Sequence, residues 1–285
     1  MRVPFTKLDG AGNDFVGLDW RGKTPLPDDM AGQLARLLCD RHHGVGSDGV
    51  LMVLDPPSPD FDFTMLYLNA DGSIGGMCGN GARCIAVFAH HLGASGQQMR
   101  FLTGAGPYTA SIIPGGARVD FPDAPWLPER RAPHGPLRPL EHLLFIPMGV
   151  PHAVAFVEDL DLVDVATTGR ELRHDPVFAP AGTNVNFAEM IGDQLHVRTY
   201  ERGVEAETLA CGTGSVATCC CHAWSNGRSG PQRYTVVPTG GIPLGITFDA
   251  GPNGFHAITL SGPATMRFHG VLEINPELTE INAVP

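Results

Sequence analysis

The chain has 285 residues, with 19 Lys and Arg against 30 Asp and Glu and a formal net charge of −11 at pH 7. Because nucleic acids and anionic membranes bind basic surfaces, this balance excludes both as expected partners. No stretch approaches the roughly 20 apolar residues of a membrane helix, and the length suits two domains better than one hydrophobic core.

The first half of the chain alternates short strands with helices. A helix is predicted over residues 29–38 and a strand over 50–54. Residues 61–69 alternate in character, which predicts a strand that delivers Asn69 to its end. A turn over 70–73 and a glycine-rich link follow, and apolar residues with helical spacing then run from 85 to 92.

The second half repeats this order of elements. A helix is predicted over 162–172, a strand over 195–200, a turn over 201–203 and an apolar helical run over 216–224. The Pro-rich stretch 122–139 is predicted to link the halves. Two similar α+β halves are therefore expected to face each other, with a ligand site in the cleft between them.

One rare pattern occurs twice: MCGNGAR at 77–83 and ACGTGSV at 210–216, each a Cys-Gly-x-Gly turn before a helical run. Cys78 and Cys211 should therefore each sit where a helix begins, a position that favours a thiolate. The glycines allow close approach of the backbone, and the N–H groups at a helix start bind carboxylates. One copy alone is typical of a tight turn with a buried cysteine, whereas two copies suggest one thiol on each face of an amino-acid carbon.

The remaining cysteines and the histidines suggest no metal site. Seven cysteines is an odd number and three are consecutive, which favours reduced thiols over a disulfide framework. Cys84 and Cys219–Cys221 lie within predicted helices, where they are expected to be small buried hydrophobic residues. The other candidate ligands, which lack zinc spacing, are Cys39, His42, His43, His90 and His91.

Two other motif interpretations fail on context. The stretch 44–49 (GVGSDG) matches the dinucleotide fingerprint, but it follows a predicted helix and precedes a strand, the reverse of the required order. A cysteine hydrolase would need one nucleophile and a base such as His152. It gives no reason for a second Cys-Gly-x-Gly, and a non-catalytic binding protein would be expected to have lost one cysteine.

Together these motifs resemble the diaminopimelate epimerase family. The resemblance rests on residues 7–15, 69–73, 77–84, 182–187, 201–203 and 207–214, and it extends in order to Gly262-Pro263-Ala264. Proline racemase and its relatives share the paired cysteines, but their first motif typically has histidine where Asn80 stands here. The resemblance therefore favours the epimerase and covers nearly the whole chain.

The resemblance implies an α+β fold of two pseudo-symmetric domains, each a curved mixed or antiparallel sheet wrapped around a central helix. The first domain is expected over 1–122, completed by about 266–285, and the second over 123–265. The implied reaction interconverts LL- and meso-diaminopimelate without pyridoxal phosphate or a metal, in lysine and cell-wall precursor synthesis. A homodimer is implied, and the N-terminal sequence, which lacks a secretion signal, indicates the cytoplasm.

The resemblance also assigns roles residue by residue. One catalytic cysteine removes the α-proton as a thiolate while the other donates from the opposite face. The matching positions are Cys78 and Cys211 for catalysis, Gly79, Asn80, Gly212 and Thr213 for the carboxylate, Asn13, Asn69 and Asn184 for the substrate, Glu201 and Arg202 for its distal end, and His152 and Glu201 for tuning the cysteines. Taken singly, Asn13 and Asn69 are also typical of turns, the Glu201–Arg202 pair of a solvated surface and His152 of a core.

Three departures from the family pattern bear on the substrate. Val150 stands where the family often has asparagine, Gly49 stands where some members place a glutamine, and the segment 203–207 is one residue longer than the commonest form. None touches the cysteines, so the sequence specifies the chemistry more firmly than the substrate. A racemase of another amino acid on the same scaffold is the alternative.

Overall fold

The computed structural model describes residues 2–134, 143–275 and 281–283. The chain divides into two compact units, residues 1–119 with 262–285 and residues 120–261.

Unit 1 is a mixed sheet with two helices. Its strands are β1 (Arg2–Gly10), β2 (Asn13–Asp19), β3 (Gly49–Leu54), β4 (Phe63–Asn69), β5 (Ile74–Gly75), β6 (Gln98–Thr103), β7 (Gly106–Ile113), β8 (Gly116–Asp120), β18 (Thr265–Ile274) and β19 (Ile281–Ala283), and its helices are α1 (Asp28–Cys39) and α2 (Gly79–His91). The strands pair in the order β19–β18–β1–β2–β3–β4–β6–β7, with β5 also on β4. The β2–β3 and β4–β6 pairs are parallel, and the others are antiparallel.

The two helices of unit 1 are buried to different extents. The predicted helix over 29–38 is confirmed as α1, whose apolar stripe (Ala31, Leu34, Ala35 and Leu38) packs on β3 and β4. Helix α2 contacts β1, β2, β3, β4, β7 and β18. It is buried around most of its circumference, as a central helix must be, so apolar and small residues occupy most of its positions.

Unit 2 has the same order of elements. Its strands are β9 (Glu129–Arg131), β10 (Leu143–Met148), β11 (Val150–Phe156), β12 (Asn184–Ile191), β13 (Gln194–Glu201), β14 (Ala206–Thr208), β15 (Gly230–Pro238), β16 (Leu244–Gly251) and β17 (Gly254–Pro263), and its helices are α3 (Val165–Arg173) and α4 (Gly212–Ser225). The strands pair as β9–β10–β11–β12–β13–β15–β16–β17, with β14 on β13. The parallel pairs are β11–β12 and β13–β15, which match β2–β3 and β4–β6.

The internal repeat predicted from the sequence is therefore confirmed at the level of topology. Elements β1 to β7 with α1 and α2 correspond in order to β10 to β16 with α3 and α4. Helix α4 contacts β10, β11, β12, β13, β15 and β16, as α2 does with its own sheet. Among the described residues, no helix has the length and apolar character needed to cross a membrane.

Two predictions about unit 2 need correction: the helix over 162–172 is present but begins later, and the stretch 122–139 contains paired residues. The helix predicted over 162–172 begins at Val165, because Asp164 caps it by accepting a hydrogen bond from the Thr167 N–H at 3.0 Å. Leu162, outside that cap, is 82% exposed. The stretch 122–139 is not a plain linker, since Ala124 bridges Phe255 and β9 pairs with β10; residues 135–139 lie outside the described ranges.

Candidate active site

Each motif cysteine is the N-cap of a central helix, as predicted. Cys78 precedes α2 with φ −137° and ψ 119°, and Cys211 precedes α4 with φ −115° and ψ 111°. The Gly81 N–H donates to Cys78 Sγ at 3.4 Å. Both sulfur atoms thus lie at the positive end of a helix dipole, beside N–H groups that have no partner within the helix.

The second glycine of each motif packs closely on its surroundings, and in unit 2 no space is left for a side chain. A Cβ on Gly214 would lie 2.3 Å from Asn186 Oδ1 and 3.2 Å from Cys211 Sγ. A Cβ on Gly81 would lie 3.1 Å from the Leu51 side chain and 3.6 Å from Cys78 Sγ. Glycine at the third position after each cysteine therefore lets the start of the helix pack closely on the sheet beside the thiol.

Two of the predicted binding residues, Asn13 and Asn80, meet beside Cys78. Asn80 Nδ2 donates to Asn13 Oδ1, and Asn13 Nδ2 donates to Asp48 Oδ2 at 3.1 Å. Arg83 Nη2 donates to Asn80 Oδ1 at 2.8 Å. The sequence reasoning named the two asparagines but missed Arg83 and Asp48, which fix the orientation of both amides.

An ionic cluster holds the β1–β2 turn that carries Asn13. Arg41 Nη2 lies 3.0 Å from Asp14 Oδ1 and 2.7 Å from Asp48 Oδ1, and Lys7 Nζ lies 2.5 Å from Asp14 Oδ2. Burial raises the pKa of Asp14, but hydrogen bonds from Arg41 and Lys7 outweigh it and lower that pKa. Asp48 belongs to the stretch 44–49 excluded as a dinucleotide motif, whose position between α1 and β3 is confirmed.

Asn69 ends β4, as predicted, and is held by the following turn. Its backbone N–H donates to Ser73 O and its Nδ2 to Ser73 Oγ, both at 2.9 Å. Directly opposite in the β3–β4 register lies Gly49. A Cβ on Gly49 would lie 2.8 Å from the Tyr67 ring and 2.6 Å from Leu68 O, so Tyr67 occupies the space that a side chain at position 49 would need.

In unit 2, His152 lies next to the Cys211 motif through Thr213. His152 Nε2 is 3.0 Å from Thr213 Oγ1, which is 3.6 Å from Cys211 Sγ. Burial lowers the pKa of His152 to about 3, and the positive charge of Arg202 contributes in the same direction. The imidazole is therefore neutral near pH 7.

Two residues that the sequence reasoning did not assign fix the other side of His152. Asn186 Nδ2 is 3.2 Å from His152 Nδ1 and 3.0 Å from Ala153 O. Thr199 Oγ1 donates to Asn186 Oδ1 at 3.0 Å. The available signal was spacing, because Asn186 lies two residues after Asn184 on β12 and so points to the same face of the strand.

The residues predicted to bind the distal end of the substrate cluster at the end of β13. The Arg202 backbone N–H donates to Asn184 Oδ1 at 2.8 Å, and Asn184 Nδ2 donates to Pro151 O at 3.0 Å. Glu201 accepts a hydrogen bond from Thr208 Oγ1 at 2.9 Å. The longer segment after Arg202 turns at Glu205, with φ 58°, and leads into β14.

The cysteines outside the two motifs are buried, as predicted for those on helices α2 and α4. Burial raises the pKa of Cys39 to about 11, and it also raises the pKa of Cys84 and of Cys219–Cys221. None of the seven cysteines, all within the described ranges, forms a disulfide. Across the same residues, no group of three His, Cys, Asp or Glu side chains is arranged to hold a metal ion.

Comparison with known proteins extends over almost the whole chain. The sequence profile described as Diaminopimelate epimerase matches residues 5–123 and 144–266. A diaminopimelate epimerase from Aquifex aeolicus (strain VF5) is 37% identical over 286 residues, covering 95% of this chain and 98% of the relative. Another, from Methanothrix thermoacetophila (strain DSM 6194 / JCM 14653 / NBRC 101360 / PT), is 40% identical over 283 residues, covering 95% and 96%. A solved Bacillus anthracis phenazine biosynthesis protein of the PhzF family shares the fold, with a TM-score of 0.71 at 15% identity over 96% of this chain and 100% of that one.

Proposed function

This chain belongs to the diaminopimelate epimerase family, and we propose that it interconverts LL- and meso-2,6-diaminopimelate by proton transfer between two cysteines. The observation that carries the proposal is the placement of Cys78 and Cys211 as N-caps of equivalent helices in two units of the same topology. The reaction serves the synthesis of lysine and cell-wall precursors.

In the proposed step, the thiolate of one cysteine takes the α-proton and becomes a thiol. The electron pair of the broken C–H bond remains on the α-carbon and its carboxylate as a carbanion-like species. The second cysteine then donates its thiol proton to the opposite face and becomes the thiolate. The configuration is inverted, one proton is exchanged, and the reverse reaction starts from the other sulfur.

The weak acidity of an amino-acid α-proton is the main energetic obstacle, so the carboxylate must be bound by preorganised donors. We assign that role to the backbone N–H groups at the two helix starts, at Gly79, Asn80, Gly212 and Thr213. Such N–H groups are a ready anion site because they have no partner within the helix and the dipole favours negative charge. Asn13 and Asn69 complete the binding groups that unit 1 contributes.

At the distal end, Arg202 and Glu201 are proposed to bind the second amino-acid centre. Arg202 can hold a carboxylate with two parallel hydrogen bonds, and Glu201 offers an acceptor for the ammonium group. Asn184 supports this pair, since it binds the Arg202 backbone N–H at 2.8 Å. Glu201 and His152 are also proposed to influence the ionisation of the cysteines, His152 through Thr213.

The test is incubation of the purified protein with LL-diaminopimelate in heavy water, followed by NMR. We expect α-deuterium in the product together with the appearance of the meso isomer. Cys211→Ala should do neither and serves as the control. No exchange and no isomerisation with the wild-type protein would overturn the proposal. If another amino acid is racemised while diaminopimelate is not, the alternative racemase is correct.

Independence from pyridoxal phosphate is part of the same proposal, because the cysteine pair supplies both proton transfers. Hydroxylamine, which removes pyridoxal phosphate from enzymes, should leave the activity unchanged after dialysis. Activity lost with hydroxylamine and restored by pyridoxal phosphate would overturn this part.

A cytoplasmic homodimer is proposed from the family resemblance. One supporting feature is Phe268 on β18, which is 53% exposed. Its ring meets the Phe5 ring edge to face, with 6.1 Å between the ring centroids, so aromatic surface is exposed on unit 1. Light scattering on the purified protein should give twice the chain mass. Phe268→Arg should lower that mass and Leu162→Arg, at another exposed site, should not; a monomeric wild type would contradict the proposal.

A further inference from the structure

Arg83 on α2 is a buried cation near Cys78. Its side chain is 0% exposed. Nη1 donates to Gly79 O at 3.1 Å, Nη2 donates to Asn80 Oδ1 at 2.8 Å, and Nε has no hydrogen-bond partner. Among the described residues, no carboxylate forms an ion pair with it within 4.0 Å.

Such a group is costly, because removing a guanidinium from water carries a penalty of several kcal/mol unless an opposite charge compensates for it. Burial lowers the pKa of Arg83, yet arginine stays protonated in proteins. Side chains on a helix point back toward its N-terminus, so the guanidinium lies over the first turn of α2. Its charge therefore adds to the positive helix dipole at Cys78.

We propose that Arg83 is a positioning residue whose buried charge is balanced by the thiolate of Cys78 and whose hydrogen bonds orient Asn80 and Asn13. The first part depends only on this protein's own groups. The second part rests on the proposed function, because it concerns substrate binding by the two asparagines.

The orientation follows from the chemistry of the donors. A guanidinium can only donate, so the atom of Asn80 that faces it must be Oδ1. Nδ2 of Asn80 then faces Asn13 and must meet its Oδ1, which leaves Asn13 Nδ2 to donate to Asp48. One donor-only side chain thereby sets the direction of two amides in series.

The groups whose charges act on Arg83 are Cys78 and Cys84. Cys84 cannot supply the balancing anion, because burial raises its pKa far above the usual range in spite of Arg83 beside it. Asp9 on β1, which also acts on Cys84, is committed to Arg267 at 2.7 Å. Cys78 remains as the anion within reach.

The experiment measures alkylation of Cys78 by iodoacetamide against pH, by mass spectrometry, in full-length wild type, Arg83→Met and Arg83→Lys. Cys211 in the same samples is the internal control. In Arg83→Met we expect alkylation of Cys78 at pH 7 to slow about tenfold and its pH midpoint to rise, with Cys211 unchanged, since a nearby positive charge favours the thiolate and its removal disfavours it. Arg83→Lys keeps the charge and a donor-only group and should keep the midpoint, whereas Arg83→Met should also raise KM because no donor then holds Asn80 Oδ1.

The alkylation result is interpreted only for variants that are folded, so circular dichroism is recorded for both Arg83→Met and Arg83→Lys. Because the Cys78 thiolate can take up a proton when the cation is removed, Arg83→Met leaves no uncompensated buried charge, so folding is expected. An unchanged Cys78 midpoint in Arg83→Met would overturn the proposal, as would an equal loss in Arg83→Lys and Arg83→Met. The alkylation needs no substrate, so it separates this proposal from the proposed function.

A second inference rests on separate observations in unit 2. Asn186 Nδ2 has two protons, one for Ala153 O at 3.0 Å and one directed at His152 Nδ1, 3.2 Å away. Its Oδ1 is taken by the Thr199 hydroxyl. His152 Nδ1 is therefore an acceptor, and the neutral ring must carry its proton on Nε2 and donate it to Thr213 Oγ1.

We infer that Asn186 and Thr199 are positioning residues that fix this tautomer and thereby direct the Thr213 hydroxyl proton toward Cys211 Sγ, 3.6 Å away. The donated proton favours the thiolate of Cys211. The groups facing His152 are Arg202, Thr213 and Asn186, and of these only Arg202 carries a charge.

Nitrogen NMR of histidine-labelled protein tests this directly, because the shifts of Nδ1 and Nε2 distinguish the tautomers. Wild-type His152 should carry its proton on Nε2. Asn186→Asp, whose carboxylate only accepts, should move the proton to Nδ1 and slow alkylation of Cys211 several-fold, whereas Thr218→Val, elsewhere on α4, should change neither. A wild-type Nδ1–H tautomer would overturn the inference, and so would unchanged alkylation in a folded Asn186→Asp protein.

Discussion

The two thiol sites share one sequence of elements but differ in charge. In each unit the cysteine follows a short strand paired to the end of a longer one and caps the central helix. Counting from each cysteine, Arg83 in unit 1 occupies the position of Val216 in unit 2, and Asn80 occupies that of Thr213. A repeat can therefore fix where two thiols lie while single positions decide what surrounds them.

The difference suits a reaction that needs one base and one acid. A buried cation lies near Cys78, whereas the nearest titratable ring on the Cys211 side, His152, is neutral and connects through a hydroxyl. With the proposals above, a buried cation favours the thiolate at Cys78, and a donated hydroxyl proton favours it at Cys211. Each direction of the reaction can then start from a thiolate that is stabilised in a different way.

Removal of either sulfur should have the largest effect. Cys78→Ala and Cys211→Ala should each lower kcat by at least about 10²- to 10⁴-fold, because each direction needs both an acceptor and a donor. Isomer formation from LL-diaminopimelate is the measurement. Cys220→Ala, a buried control on α4, should change stability more than turnover. Near-normal turnover by either motif variant would refute the two-base reaction.

A methyl group added to the second motif glycine should affect unit 2 more than unit 1. Gly214→Ala places Cβ 2.3 Å from Asn186 Oδ1, whereas Gly81→Ala meets only the flexible Leu51 side chain at 3.1 Å. Overpacking of this kind costs about 1–3 kcal/mol, so Gly214→Ala should lower Tm and activity clearly and Gly81→Ala only slightly. Equal losses in thermal melts would show that the two helix starts are packed alike.

Much of this comparison was predictable from the sequence, because local patterns carry it. The Cys-Gly-x-Gly turns before apolar runs located both helix starts, and alternation located the strand ending at Asn69. The role of Arg83 was not predictable, since a charged residue on a helix is normally exposed and burial depends on the sheet packed around it. Similarly, the Pro-rich composition predicted a linker at 122–139, but residues within it form β9, because pairing with β10 stabilises a strand that the local sequence does not favour.

The neutral His152 should make unit 2 sensitive to acid. Its pKa is about 3 in the folded protein against 6.5 unfolded, so below pH 6.5 only the unfolded state takes up the proton and stability falls with pH. Between pH 7 and pH 5 this amounts to about 2 kcal/mol. His152→Gln should lose less stability than wild type over this range in urea titrations, while the surface control His43→Gln should follow wild type. Parallel pH curves for His152→Gln and wild type would show that His152 is protonated in the fold.

The smallest effect is expected at Val150, where the two units differ in a binding side chain. The strand registers show which positions of the two units are equivalent. In unit 2, Val150 lies two residues before His152, which pairs with Asn184 at the start of β12. In unit 1, Asn13 lies two residues before Phe15, which pairs with Gly49 at the start of β3. Val150 is thus the counterpart of Asn13 but lacks its amide. Val150→Asn should lower KM for diaminopimelate by up to about tenfold, since one hydrogen bond is worth about 0.5–1.5 kcal/mol, or leave it unchanged where water already fills the role. kcat should stay the same, and Val150→Thr is the control for the change of shape. Steady-state assays check this prediction. If Val150→Asn has a raised KM for diaminopimelate, and the wild-type protein turns over a smaller amino acid faster than diaminopimelate, Val150 marks a different substrate.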